Sequence, residues 1–501
     1  MSITITNNVF SEFIENFSKN LKELFHHTYN IDELSAERGV PADLLDGIMK
    51  MRPLSVAIPE AYGGRGPIVK ECLSVLAAAS YESLPLSLTF GINIALFLEP
   101  LAKYGNPAVK MGVFNRFLEN QNMGGLMITE PNYGSDALNM KTTNKLGADG
   151  YHIKGTKHWQ GLTGMADYWL IATRKENENG ELGRDIDFFL SDNTVPAQQI
   201  KVTEYYDNPG LLMIPYGLNE LDIVVPEYHK LEPESTGIKM MLDILHRSRL
   251  QFPGMGMGFI KRMLDEATSH CESRIVGASN LLAMDNVQFQ ITRMQSAYTI
   301  CSAMCAHSSS MSGIEHNLAA EGLEANTMKA VVTDLMQECA QLLVQLSGAN
   351  GYRTSNIGGR GIMDSRPFQI FEGSNEMLYA QIADMVLRAM RKEKQNNLYD
   401  FLKAFKLTAN ASGHFKNEFS FGIGTDVPQR KLVDLGKAIA RVICAGYVME
   451  LANKGFKKDL ADLSILTLRQ EVAALICSFQ FDNRVMVVND YRDSSSWFDF
   501  A

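Results

Sequence analysis

The chain lacks the features that would mark it for secretion, metal binding or nucleic acid. Its 501 residues hold only seven cysteines: Cys72, Cys271, Cys301, Cys305, Cys339, Cys444 and Cys477. An odd, dispersed set excludes a disulfide framework and reads as buried free thiols in a reducing compartment. Only Cys301 and Cys305 are close, and their x3 spacing, with no second Cys or His set nearby, is a poor zinc signal. Positive charge is in deficit, with 47 Lys+Arg against 57 Asp+Glu and a net charge of −10. A general nucleic-acid binder needs a basic face, so no nucleic-acid partner is expected. The first residues, MSITITNNVF, have neither a basic nor an apolar leader region, so no targeting signal is expected. The apolar stretch from Leu84 to Leu101 is broken by Asn93, Glu99 and Pro100. It reads as a core helix, not a membrane span, and a cytoplasmic location follows as the expectation. Walker A, HExxH and GxSxG sequences are absent, leaving P-loop, zincin and α/β-hydrolase chemistry unsupported. Gly254, Gly256 and Gly258 form GxGxG rather than GxGxxG, after a helical segment rather than a strand. Small residues that let helices approach closely are the better reading.

What is present is enough apolar sequence for a large core. Hydrophobic residues make up 46% and charged residues 21%, a globular composition. The length corresponds to three or four domains. Residues 1–122 read as helical, with apolar residues at three- and four-residue spacing in Phe10–Phe25 and Val69–Ser80. Pro41 fits the first position of a helix. Residues 123–232 switch to short β-rich runs at Leu126–Thr129, Gly150–Thr156, Tyr168–Thr173, Ile186–Leu190 and Glu220–Val225. Helical periodicity returns over 233–390, in Thr236–His246, Gly256–His270, Met284–Ser310 and Glu321–Ser347. That pattern predicts a four-helix bundle. The Gly63-Gly64 and Gly358-Gly359-Arg360-Gly361 clusters read as loops. Residues 391–501 predict an extra helical module, with helices over Lys431–Lys454 and Asp459–Phe479. It carries 16 Lys+Arg against 13 Asp+Glu, unlike the acidic remainder.

Five motifs occur in a telling order. They are Thr129-Glu130-Pro131-Asn132-Tyr133-Gly134-Ser135-Asp136; Gly155-Thr156-Lys157-His158-Trp159; Ser248-Arg249-Leu250 with Gly258 beyond; Gln345 through Tyr352; and Ile370-Phe371-Glu372-Gly373-Ser374-Asn375-Glu376-Met377. Together they resemble the acyl-CoA dehydrogenase flavoproteins, over about residues 1–390. The resemblance implies an α+β multi-domain fold: an N-terminal helical domain, a small middle β-barrel, a helical bundle and here a further helical module.

It also implies an oxidoreductase that uses FAD to oxidise an acyl thioester between its α- and β-carbons. Glu372 matches the base that takes the α-proton while a hydride leaves the β-carbon for flavin N5. A carboxylate suits that task once burial strengthens it as a base. Its own backbone N–H would help polarise the thioester oxygen. Taken alone, Glu372 beside Gly373 reads more readily as a carboxylate at a helix N-terminus, and it is the set of five motifs that turns the reading. For the cofactor, the resemblance implies Leu126, Thr129, Ser135, Trp159 and Gly161 along the flavin. Arg274 would meet the pyrophosphate, Gln345 and Gly348 would meet FAD from a neighbouring subunit, and Ser374 and Glu376 would lie by the phosphates and adenine. Ser135, Arg249 and Gly373 match substrate-side positions. The implied partners are acyl-CoA or an acyl-carrier thioester, an electron-transfer flavoprotein and a second or further copies in a homodimer or homotetramer. No metal is implied.

The sequence departs from the family pattern around the flavin. Gly161 stands where a Thr or Ser hydroxyl is usual, Gly277 where Phe is usual, Asp285 where Gln is usual and Met363 where Arg is usual. Two other readings therefore stand beside dehydrogenation. One is an oxygen-using oxidase or monooxygenase on the same fold; the other is a partner-binding relative poor in flavin. The presence of Glu372 favours dehydrogenation.

Overall fold

In the computed structural model the described residues are 2–424, 426–481, 486–489 and 496–500. Helical spacing of apolar residues gives α1 (Ser2–Glu23), α2 (Val69–Glu82) and α3 (Leu84–Asn93). The break between α2 and α3 is encoded locally. Ser83 caps α3 by accepting from the Leu86 amide, and Pro85 sits in the first turn. The chain from Leu84 to Tyr104 is long and apolar enough to cross a membrane, but 94% of its apolar window is buried in the protein. Pro41 lies one residue earlier than expected, capping the helix Ala42–Met49 from outside.

The middle region forms a curled seven-stranded sheet from β1 (Gly124–Met127), β2 (Thr143–Leu146), β3 (Tyr151–His158), β4 (Tyr168–Lys175), β5 (Asp187–Asp192), β6 (Lys201–Tyr205) and β7 (Gly217–Val225). Its order is β1-β4-β2-β3-β7-β6, with β5 also on β4. The β1–β4 pair is parallel and sets Leu126 opposite Leu170. Strands β2 and β6 were not expected. Both are mostly polar, and β6 is mostly exposed, so they lack the apolar alternation that marks a half-buried strand.

Helix α4 (Gly237–Ser273) merges two expected helices and runs straight through Pro253. Proline removes one backbone donor and usually breaks a helix. Here α2 packs against the turn that follows it. A Cβ on Gly254 would lie 2.9 Å from the Leu73 carbonyl oxygen, and one on Gly258 only 1.9 Å from that of Ala77. The backbones of α2 and α4 therefore touch, as the small-residue reading required. With α5 (Asp285–Met311), α6 (Gly322–Ser347) and α7 (Asn375–Lys392), α4 makes the bundle. The second glycine cluster is helical rather than a loop. It lies in Ile357–Ser365, capped by Asn356. There a Cβ on Gly361 would come 3.0 Å from Phe259 Cζ, so glycine serves packing.

The C-terminal module contributes α8 (Gln429–Asn453) and α9 (Lys458–Gln480). They pack on α5 and α7, and one cluster of buried apolar side chains runs from Phe17 to Phe479. The module thus shares its core with the bundle.

Candidate active site

The Glu372 loop joins a short 3-10 turn, Arg366–Gln369, to α7. Glu372 has φ +52° and Gly373 φ +93°. The left-handed region costs a non-glycine residue about 1–2 kcal/mol, so the fold must hold Glu372 there. It does so through the backbone. Arg249 on α4 donates from Nε (3.1 Å) and Nη2 (2.8 Å) to the Glu372 carbonyl. Lys329 on α6 donates to the Gly373 carbonyl at 2.7 Å. Arg249 is itself steadied by Asn326 Oδ1 at 2.7 Å.

The side chain is held by one oxygen only. Ser248 Oγ donates to Glu372 Oε1 at 2.9 Å, while Oε2 is shielded from solvent and has no partner among the described residues. The Glu372 amide likewise has no acceptor among them. Burial pushes the Glu372 carboxyl above the ordinary glutamate range, and Arg249, the Ser248 donor and Lys329 pull back. Burial in turn brings the Lys329 ammonium down to about 7. An acceptor oxygen, free and dry, beside a free amide donor can take a proton and polarise a carbonyl at one place.

A second constellation lies on the sheet. Trp159 is left-handed (φ +60°) and 52% exposed, whereas Trp169 in the same sheet is 1% exposed. Its amide donates to Gly217 O at 3.1 Å, and its ring meets those of Tyr206 and Tyr216 at 4.5 and 6.1 Å between centroids. The Thr129 carbonyl accepts from the His158 amide (3.0 Å) and Gln160 Nε2 (3.1 Å), joining the first two motifs. Beneath them lies the buried Lys157–Glu130 ion pair at 2.8 Å. Leu126 is half-buried and Ser135 exposed.

The structure brings Glu372, Gly373 and Arg249 into one contact set and Thr129 and Trp159 into another. The remaining expected residues stand apart. Arg274 follows the last residue of α4, exposed, its guanidinium without a partner among the described residues. Gln345 and Gly348 lie exposed at the C-terminal end of α6. Ser374 precedes α7 with its hydroxyl making no capping bond, and Glu376 is exposed in the first turn.

The departures have local causes. A Cβ on Gly161 would lie 2.7 Å from Ile92 Cδ1, so α3 fills the space a side chain would need. Gly277, at φ +64°, turns the tight hairpin between Ile275–Val276 and Ser279–Asn280. Asp285 opens α5, where the helix dipole favours an acidic residue. Met363 presents its carbonyl to Gly210, and Asp364 accepts from the Leu211 amide at 2.6 Å, tying the sheet domain to the segment before Glu372. None of these removes the exposed Trp159 ring, the Arg274 guanidinium or the Glu372 oxygen, the latter two without a partner among the described residues; an aromatic face, a phosphate donor and a proton acceptor are the group types that a planar, phosphate-bearing cofactor and its substrate need.

Sequence reading assigned no role to Ser248, Asn326, Lys329 or Asn375. The one available signal was Lys329 itself, a lysine set between Met328 and the apolar Ala330-Val331-Val332, and the structure buries it fully.

Three family models match in order: the acyl-CoA dehydrogenase N-terminal domain over 12–121, the middle domain over 125–223 and the C-terminal domain over 235–387. An acyl-CoA dehydrogenase of Bacillus subtilis is 24% identical over 67% of this chain and 87% of its own length. The short-chain specific enzyme of Megasphaera elsdenii is 23% identical over 69% of this chain and 90% of its own. Among solved structures, butyryl-CoA dehydrogenase of Megasphaera elsdenii has a TM-score of 0.66 at 20% identity, covering 75% of this chain and 98% of that one. The prolyl acyl carrier protein oxidase AnaB scores 0.67 at 18% identity, over 75% of this chain and 99% of that one. The Bacillus anthracis acyl-CoA dehydrogenase complexed with FAD scores 0.75 at 18% identity, covering 93% of this chain and 88% of that one. That coverage exceeds what residues 1–390 supply, so the C-terminal module has a counterpart there.

Proposed function

Because the chain belongs to the acyl-CoA dehydrogenase family, we propose that it is an FAD-dependent dehydrogenase of acyl thioesters with Glu372 as the α-proton base. The observation that carries this reading is Glu372 Oε2: desolvated, unpartnered, and fixed by a backbone that Arg249 and Lys329 hold in a left-handed turn. A strongly basic oxygen needs no reorganisation to receive the proton. The Glu372 amide donates to the thioester carbonyl oxygen, where negative charge grows as the proton leaves. Gly373 on the substrate side makes the turn, at φ +93° and with a Cβ there crowding Leu378, Met377 and Arg249. Ser248 keeps Oε1 occupied and so directs the proton to Oε2. Arg249 acts on the substrate side by holding this loop, and the Ser135 hydroxyl would meet the flavin or the thioester side of the substrate.

FAD, when bound, supplies the acceptor for the hydride from the β-carbon. Leu126, Thr129, Trp159 and Gly161 would line its ring and Arg274 its pyrophosphate. Ser374 and Glu376 would lie toward the adenine end. Gln345 and Gly348 would complete the site of a neighbouring copy, in a homodimer or homotetramer. The exposed Ile275, Val276, Met284 and Phe289 near Arg274 offer apolar surface for such a contact. An electron-transfer flavoprotein is the proposed acceptor of the electrons.

The test is optical. Purified protein is expected to be yellow and to bleach anaerobically with butyryl-, octanoyl- or palmitoyl-CoA. Losing a general base costs about 10²–10⁴-fold, so Glu372→Gln should bleach that much more slowly. A variant that bleaches as fast as wild type removes Glu372 from this role. Stoichiometric peroxide in air would instead favour the oxidase reading.

A further inference from the structure

The loop that carries Glu372 is pinned from outside by one carboxylate. Asp334 Oδ1 on α6 accepts from Gln369 Nε2 and from Asn375 Nδ2, each at 2.7 Å. These two residues stand three positions before and three after Glu372, so a single oxygen gathers both ends of the loop. Asn375 Oδ1 in turn accepts from Lys329 at 3.0 Å, the same ammonium that holds the Gly373 carbonyl. Asp334 Oδ2 accepts from the Tyr379 hydroxyl at 2.7 Å.

A carboxylate in this setting needs a countercharge, and Lys329 is committed to the loop itself. The cation comes from the C-terminal module. Arg441 on α8, 8% exposed, donates from Nη1 to the Tyr379 hydroxyl at 2.8 Å and sets Nη2 3.8 Å from Asp334 Oδ2. The hydroxyl thus accepts from Arg441 and donates to Asp334, which uses both of its capacities in one direction. Arg441 is fixed in turn. Its Nε donates to Glu471 Oε2 on α9 at 3.1 Å. One and a half turns earlier on α8, a Cβ on Gly436 would lie 1.9 Å from the Tyr379 carbonyl oxygen, so the backbones of α7 and α8 meet beneath the tyrosine. Arg441 lies beyond the end of the matched family domain at residue 387.

We propose that Arg441 is a positioning residue for the Glu372 loop, so that the C-terminal module is part of the catalytic apparatus. The chain of contacts runs from Arg441 through Tyr379 and Asp334 to Gln369 and Asn375, and so to both flanks of Glu372. Its catalytic half rests on Glu372 being the base; its structural half does not.

Two readouts on the full-length, flavin-loaded protein keep those halves apart. One is hydrogen exchange over residues 366–376, compared with exchange over α8. The other is single-turnover bleaching with the acyl-CoA panel, separating the bleaching rate from the acyl-CoA Kd. In Arg441→Met and in Tyr379→Phe, loop exchange should rise about tenfold while α8 stays protected. Bleaching should slow about tenfold with Kd within about twofold, the signature of a mispositioned reacting group. Arg441→Lys should recover part of both. Wild-type loop exchange and bleaching in both variants would overturn the proposal. So would loss of α8 protection in Arg441→Met together with an unchanged loop in Tyr379→Phe, which would make Arg441 a structural residue only. Glu372→Gln is run alongside. If it bleaches like wild type, the base assignment falls, and loop exchange alone then decides whether Arg441 holds the loop.

Discussion

Glu372 must be ionised to take a proton, and its neighbours set the pH at which that happens. Burial raises its carboxyl above the 4.5 of an ordinary glutamate. The bleaching rate should therefore fall as pH drops, with its midpoint above 4.5. Lys329 is charged below about pH 7 and draws the midpoint down. Lys329→Met should move the midpoint upward, and a downward shift in the bleaching profile would refute the assignment of that charge. Glu99 is a second buried carboxyl, accepting from Gln251 at 2.8 Å. Burial raises it from 4.5 to about 7, against the pull of Arg247 and Gln251. In the unfolded chain it ionises near 4.5, so between 4.5 and 7 the folded state binds more protons. Its contribution is full below 4.5 and is lost as pH rises through 7. At pH 8 Glu99→Gln should gain about 1–3 kcal/mol, seen as a higher Tm, while below pH 4.5 the gain should vanish. Equal gains at both pH values would mean that ionisation is not the cause. Glu372 and Arg249 were legible in the sequence because each sits in a short contiguous motif. Lys329 and Asp334 were not, because only the fold brings α6 against a loop some 40 residues further on.

Helix α4 shows what decides an element once packing outweighs propensity. Pro253 and three glycines argue for a break on intrinsic preference, yet one helix of 37 residues forms. Contact with α2 needs Gly254 and Gly258, and Val332 on α6 crowds Gly256, so replacing one should cost more than its helix propensity returns. Gly258→Ala sets a methyl 1.9 Å from the Ala77 carbonyl oxygen, and backbone atoms cannot rotate away. A loss of at least about 1–3 kcal/mol is expected. The control is Gly112, exposed in the helix Pro107–Glu119, where a Cβ meets nothing within 4 Å. Gly112→Ala should gain up to about 1 kcal/mol. Thermal melts that move in opposite directions check both; equal shifts would remove the close-approach account. The same reasoning explains what was read well and what was not. Amphipathic helices and apolar strands announce themselves by period. The helical Gly358–Gly361 segment, the short polar strand β2 and the polar edge strand β6 carry no such period, because contacts from elsewhere in the chain define them.

At the scale of the whole molecule the module is held by charge as well as by shared core. His307 on α5 stands between Glu324 Oε1 on α6 and Glu450 Oε2 on α8, each at 3.1 Å from a ring nitrogen. The Tyr447 ring lies 4.1 Å from it, centroid to centroid. Two ring nitrogens facing two carboxylates require the imidazolium, which donates from both. Burial alone would lower the histidine, but the bonds and charges of Glu324 and Glu450 prevail and raise it above 6.5. The folded state therefore binds the proton more tightly than the unfolded chain does. The resulting stability is full below pH 6.5 and is lost as pH rises through the raised value. Because Glu450 belongs to the module, the loss should appear first as weaker docking of α8. Exchange of α8 amides, corrected for the intrinsic pH effect, should quicken as pH rises from 6.5 into the alkaline range. In His307→Gln that dependence should flatten, since glutamine carries no titrating proton and sets no positive charge between the two carboxylates. A dependence equally steep in His307→Gln would place the pH-sensitive joint elsewhere. A flat profile in wild type would mean that the shared apolar core alone seats the module.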